Sequence, residues 1–90
     1  MEKYLTAEQA YELAANWQET KMLEAVEATL KIIEEIAKKG LFYTAVYDPS
    51  IGTFLDRDAY IEKMKNLGYK YDGTNANGDY IYWKWDRRKN

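Results

Sequence analysis

Tyrosines and carboxylates are the side chains of this sequence with chemistry to offer. The chain has nine tyrosines and three tryptophans, and neither histidine nor cysteine. Without histidine it lacks the commonest general base, the commonest metal ligand and the usual pH switch. Without cysteine it has no disulfide, no thiolate metal site and no thiol nucleophile. Aromatic stacking, hydroxyl hydrogen bonding and carboxylate chemistry remain. In the run Tyr80-Ile81-Tyr82-Trp83-Lys84-Trp85, strict alternation sets Tyr80, Tyr82 and Lys84 on one side of a strand and Ile81, Trp83 and Trp85 on the other. If the second set is buried, Tyr80 and Tyr82 face outwards, and Tyr43 and Tyr47 of an earlier strand join them as a candidate binding face, with Tyr69 or Tyr71 as further members. Such a face can stack nucleobases or form a protein interface, where tyrosine is enriched. Tyrosine is also simply a good strand former on a half-wet surface.

The carboxylates offer less. Asp56 and Asp58 fall at a predicted helix start, where acids cap free N–H groups and meet the helix dipole. Asp72 and Asp79 bracket a Gly/Asn-rich loop, residues 73–78, and favour turns there. The oxygen ligands of that loop faintly suggest calcium, but it has neither the closing glutamate nor the flanking helices of an EF-hand. No spacing brings two acids together for general acid–base work. The expectation is therefore a protein that is not an enzyme, with no catalytic residue, cofactor or metal.

A third candidate surface lies near the N-terminus. Thr6-Ala7-Glu8-Gln9 fits a capping box, and no glycine or proline follows until Gly40. A helix over residues 7–39 would be about 50 Å long, too long to pack wholly on a small domain. Its second half is clearly amphipathic. Leu23, Val26, Leu30, Ile33 and Ala37 form a stripe, widened by Met22, Ala25, Thr29, Ile32 and Ile36, and opposed by a charged side. Glu27–Lys31, Glu34–Lys38 and Glu35–Lys39 follow the favourable order for ion pairs. The first half is alanine-rich and irregular in phase, and residues 16–20 contain poorer helix formers, so the helix is expected either to extend away from the body or to kink there. Tyr11, Ala14, Trp17 and Met22 are the expected partner or oligomer interface of this helix, because aromatic side chains on a protruding helix call for cover.

The remaining elements are set by two glycine stops. Lys38-Lys39-Gly40-Leu41-Phe42-Tyr43 and Asn66-Leu67-Gly68-Tyr69-Lys70-Tyr71 each end a helix and enter an aromatic strand. Strands are predicted over 42–47, 69–72 and 79–85, the last one central and antiparallel to its hairpin partner. A second helix is predicted from the Asp56 cap to about Leu67, with Leu55 and Tyr60 as a hydrophobic staple and Tyr60, Ile61, Met64 and Leu67 buried. The fold class is α+β. A long N-terminal helix precedes a β-α-β-β body over 41–85, whose three-stranded, mostly antiparallel sheet is covered by helices on one face. Residues 1–90 form a single domain, and 86–90 are a flexible basic tail.

A net charge of −2 announces neither a nucleic-acid nor a membrane partner. Met1–Thr6 has no apolar core of a signal peptide, and no apolar run approaches the ~20 residues of a membrane span. A soluble protein of the cytoplasm is expected.

The segments Gly40–Tyr47, Leu67–Tyr71 and Gly78–Trp85, with the start Ala7-Glu8-Gln9-Ala10, resemble small uncharacterised accessory proteins of tailed bacteriophages. The loop from Asp48 to Leu55 is longer here, and Lys84 replaces a smaller or polar residue. The resemblance implies a viral protein in the host cytoplasm: an inhibitor of a host enzyme or defence system, or a virion or assembly component. A helix followed by Leu-Gly-Tyr and a hairpin is also similar to the end of a winged-helix domain. However, Arg57, Lys63 and Lys65 are offset by Asp56, Asp58 and Glu62, which makes a poor DNA-reading helix. The expected function is a non-enzymatic, homo-oligomeric interaction protein, with itself and a host protein as partners. The alternative is a binder of nucleotides or single-stranded nucleic acid through the tyrosine face.

Overall fold

A computed structural model describes residues 4–86. The order is α1 (Ala7–Lys38), β1 (Tyr43–Tyr47), α2 (Arg57–Asn66), β2 (Lys70–Thr74) and β3 (Tyr80–Lys84). The three strands form an antiparallel sheet in the order β1-β3-β2, so the last strand is central. α1 packs on β1 and on α2, and α2 packs on β2. Both helices lie on one face of the sheet. The molecule measures 60 × 26 × 24 Å, drawn out by α1.

Local signals explain where the elements start and stop. Thr6 Oγ1 accepts from Gln9 N–H at 3.1 Å while Gln9 Oε1 accepts from Thr6 N–H at 3.0 Å, completing the capping box. Asp56 Oδ1 accepts from the N–H groups of Asp58 and Ala59 and starts α2. Gly40 and Gly68 sit at φ +88° and +102°. There the chain reverses so that Leu41 N–H reaches Ile36 O and Tyr69 N–H reaches Met64 O, satisfying the last helical carbonyls.

The core is one cluster. Val26 and Ile33 of α1, Val46 of β1, Tyr60 and Met64 of α2, and Ile81 and Trp83 of β3 all meet there, with Leu55 beneath the loop. Leu55 and Tyr60 occupy the staple positions and both are buried. Tyr60 and Trp83 are fully buried and meet edge to face at 6.0 Å.

Of the two courses open to the first helix the structure takes extension, and several other expectations are corrected. α1 is uninterrupted through residues 16–20. Gln18 uses this stretch to hold the loop: its amide donates to Phe54 O at 2.5 Å and accepts from Asp56 N–H at 2.7 Å, clasping the loop before α2 to the helix. The buried line of α1 is Ala25, Val26, Thr29 and Ile33, whereas Leu23, Ile32 and Ala37 are exposed, because one sheet and one short helix cover a narrow arc. Leu67 is exposed, since α2 has already ended at Asn66. β2 runs two residues further than predicted because the register shifts between Tyr71 and Thr74, which absorbs Gly73 as a bulge. Trp85 lies just beyond β3 and is half-buried against Tyr69. Of the three predicted helical ion pairs, Glu34–Lys38 closes, at 3.5 Å. The basic tail from Arg87 onward lies outside the described residues.

Candidate interaction surfaces

The first surface is an arm. Every described residue of α1 before Gln18 is exposed, and its first buried residue is Ala25. Residues 7–17 thus extend about 16 Å past the body. At 100° per residue, Tyr11, Gln18, Met22 and Thr29 lie on one line of the helix. The side that covers the core further along therefore continues into the arm, where its described residues are exposed. Ala7, Ala10, Tyr11, Ala14 and Trp17 make a band about 120° wide. Glu8, Glu12 and Glu19 line one flank of that band, and no lysine or arginine occurs between Ala7 and Thr20. Tyr11 is 73 % exposed. Of the four residues expected to form the interface, Tyr11, Ala14 and Trp17 share the band. Met22 is packed against the core and belongs to the body.

Where the arm joins the body, Trp17, Lys21, Glu24 and Ala25 face Pro49, Thr53 and Leu55 across an open cleft of about 460 Å3. Phe54, at 89 % exposed, stands on the loop that Gln18 holds. Phe54 and Gln18 were not singled out from the sequence. The amide sits 36 residues from its partner Phe54, and no local pattern signals a bond of that span.

The second surface is the uncovered face of the sheet. Pairing of Tyr43 with Lys84, Ala45 with Tyr82 and Tyr47 with Tyr80 sets all six on the same side, away from the helices. Tyr43, Tyr47, Tyr80 and Tyr82 are all exposed, as expected from the alternation. They are not equivalent. Tyr47 and Tyr80 stack edge to face at 5.6 Å and so occupy one another. Tyr43 and Tyr82 instead line a shallow hollow of about 390 Å3 with Asp72 and Lys84, whose side chains pair at 3.4 Å. Tyr69 and Tyr71 do not join this face. Tyr69 lies against Trp85 and Tyr71 against Trp83.

A third cluster is structural. Asp48, buried at the end of β1, accepts from Arg57 Nε at 2.7 Å and from Ser50 N–H and Oγ at 2.9 and 2.7 Å. Burial alone would raise its pKa, but the Ser50 bonds and the Arg57 guanidinium hold it below the ordinary carboxylate value. Arg57 also donates to the Tyr71 hydroxyl at 3.2 Å, and that bond and Asp48 raise its pKa. The trio ties β1, α2 and β2 together. In the loop after β2, Asn75 Oδ1 accepts from the N–H groups of Asp79 and Tyr80, so that oxygen shapes the turn. No cluster of three or more potential metal ligands occurs among the described residues, and no helix there is long and apolar enough to cross a membrane.

Compared with family models, curated proteins and solved structures, the chain matches none.

Proposed function

We propose that this chain is a non-enzymatic interaction protein, homo-oligomeric and of the kind phages use against host proteins, and that the arm of α1 is its partner-binding element. The observation that carries the reading is the apolar band of the arm, which continues the core-facing side of α1 into water with Tyr11 exposed. A band of that width fits the groove between two helices of a partner or a single apolar helix. The acidic row beside it selects a partner with basic groups along the groove rim. Pairing of two arms in antiparallel fashion would set the acidic rows of both copies against each other, so a host protein fits this surface better than a second copy does. Binding by the arm would act by occlusion, with no chemistry required of this chain.

The test uses the full chain as bait in host extract, wild type against the double variant Tyr11→Glu and Ala14→Glu, with bound proteins quantified by mass spectrometry. A host protein retained by wild type and lost from the variant supports the reading. Identical sets retained by both would end it.

The hollow between Tyr43 and Tyr82 favours a second reading, binding of a nucleotide or a single strand. Two rings flank an ammonium and a carboxylate there, groups that stack on a base and address its edge. Tyr43→Ala and Tyr82→Ala should each weaken such binding by roughly 1–3 kcal/mol. Absence of any binding to single strands or nucleotides by the wild type at low salt removes this reading.

A further inference from the structure

The two edges of the sheet are built differently. β2 carries Lys70 and Asp72 and is bent by the irregularity at Gly73. Charges and bulges of this kind keep an edge strand from pairing with another chain. β1, at the other edge, reads Tyr-Thr-Ala-Val-Tyr, with no charge, no proline, no glycine and an unbroken register against β3. Phe42 O accepts from Trp85 N–H and Asp48 N–H donates to Asp79 O, both at 2.9 Å. By alternation Thr44 and Val46 also turn their backbone groups to β3, while Tyr43, Ala45 and Tyr47 turn theirs outwards. No partner for those outward groups occurs among the described residues.

We infer that β1 pairs with β1 of a second copy, antiparallel and about a two-fold axis at Ala45, to make a continuous six-stranded sheet. The strand itself specifies the occupant. Turned end for end, it matches itself: Tyr43 falls opposite Tyr47 of the second copy, Thr44 opposite Val46, and Ala45 opposite Ala45. Large side chains meet large, β-branched residues meet on the helix side, and no like charges are opposed. The outward-turned residues of the two strands fall in hydrogen-bonded register, giving roughly six N–H···O=C bonds. The helix above borders this edge. α1 lies on β1 and α2 lies on β2, so the flank of α1 turned away from α2 is the one nearer the free edge. On the helical wheel Leu23 and Leu30 occupy that flank, about 100° or more from Thr29, which contacts α2 through Tyr60. Leu23 is exposed and Leu30 only partly covered. Glu12 and Glu19 share that flank, so the strand edge and not the helix carries the pairing. The inference concerns the edge of β1, not the arm, and it stands whether or not the arm binds a partner.

The test is made on the full-length protein. Sedimentation equilibrium gives the association state, and amide exchange by NMR is followed at Tyr43, Ala45 and Tyr47 as a function of concentration. The expected result is a dimer in which these three amides gain protection with concentration. Ala45 is exposed on the uncovered face, so Ala45→Lys leaves the core alone and places two ammonium groups side by side at the axis. It should raise the dimer dissociation constant by about fivefold or more, while the double variant Tyr11→Glu and Ala14→Glu leaves the dimer unchanged. A monomer at the highest soluble concentration would overturn the inference, as would an oligomer in which the Tyr43, Ala45 and Tyr47 amides exchange as fast as in dilute solution. Both outcomes can be read on the wild type, so they do not depend on how the variants fold.

Discussion

The Tyr60 hydroxyl lies 2.7 Å from the Thr29 hydroxyl, joining α2 to α1 in the middle of the core. Its proton direction follows from its neighbours. Thr29 Oγ1 donates to Ala25 O at 2.8 Å and has no second proton, so Tyr60 donates to Thr29. Trp83 Nε1, which can only donate, gives its proton to Tyr60 at 3.3 Å. A one-way relay therefore runs from β3 through α2 to a backbone carbonyl of α1, with every member buried.

Breaking the relay in the middle should cost stability without loss of volume. Tyr60→Phe leaves the Trp83 N–H without an acceptor, and Thr29→Val leaves the Tyr60 proton without one. Each should destabilise by about 1–3 kcal/mol. The double variant should cost less than the sum, since both act on one network. Urea unfolding of the four proteins measures this, and strict additivity would contradict the relay.

The same tyrosine sets an alkaline limit. Burial raises the pKa of Tyr60 above its ordinary value of 10.0, and the Thr29 and Trp83 bonds only partly oppose that. The folded state thus holds this proton more tightly than the unfolded chain does. The contribution is complete below pH 10 and is lost as pH rises through the folded pKa. Thermal melting points recorded from pH 8 to 11 should fall at the upper end, and less steeply in Tyr60→Phe.

Asp48 sets an acid limit with the opposite sign. Its pKa is lowered in the folded state, so its contribution is present above about pH 4 and disappears as pH falls through the folded value. Asp48→Ala strips Ser50 and Arg57 of their acceptor and should cost about 2 kcal/mol at neutral pH. The gap between variant and wild type should close in acid, as denaturant midpoints at pH 7 and pH 3 would reveal.

Gln18 predicts a local effect. Gln18→Ala removes both bonds from the loop at Phe54 and Asp56 and should cost about 1 kcal/mol. Faster amide exchange should follow at Asp56, with the β3 amides unaffected. Equal acceleration in both would mean that the clasp supports the whole domain.

Local features of this fold were legible before the structure. Thr6 with Gln9, Asp56 with its staple of Leu55 and Tyr60, and the two glycine stops each act within a few residues, so the linear pattern carries them. The central position of β3 followed from its apolar side. The outward tyrosines followed from the same alternation. What the sequence hid depends on distant partners. Thr29 reads as a filler in an apolar stripe until Tyr60, 31 residues on, is placed beside it. Gln18 reads as an ordinary polar position of a helix until the loop arrives. The tyrosine face looks uniform until the register sets Tyr47 against Tyr80 and leaves Tyr43 and Tyr82 open. Leu67 fits the helical period, but the turn at Gly68 begins one residue too soon for it to reach the core.

The strand order has a consequence for how the chain is made. β1 and β2 run parallel and touch only through β3, which is made after both of them. Until residues 80–84 emerge, neither earlier strand has a partner, and Ile81 and Trp83 are missing from the cluster that the helices must cover. α1 can form on its own, since its bonds are local, but the body is unable to close stepwise as it leaves the ribosome. Folding of this domain therefore waits for residues 80–84, and a product that stops short of Tyr80 would carry a helix with no domain behind it.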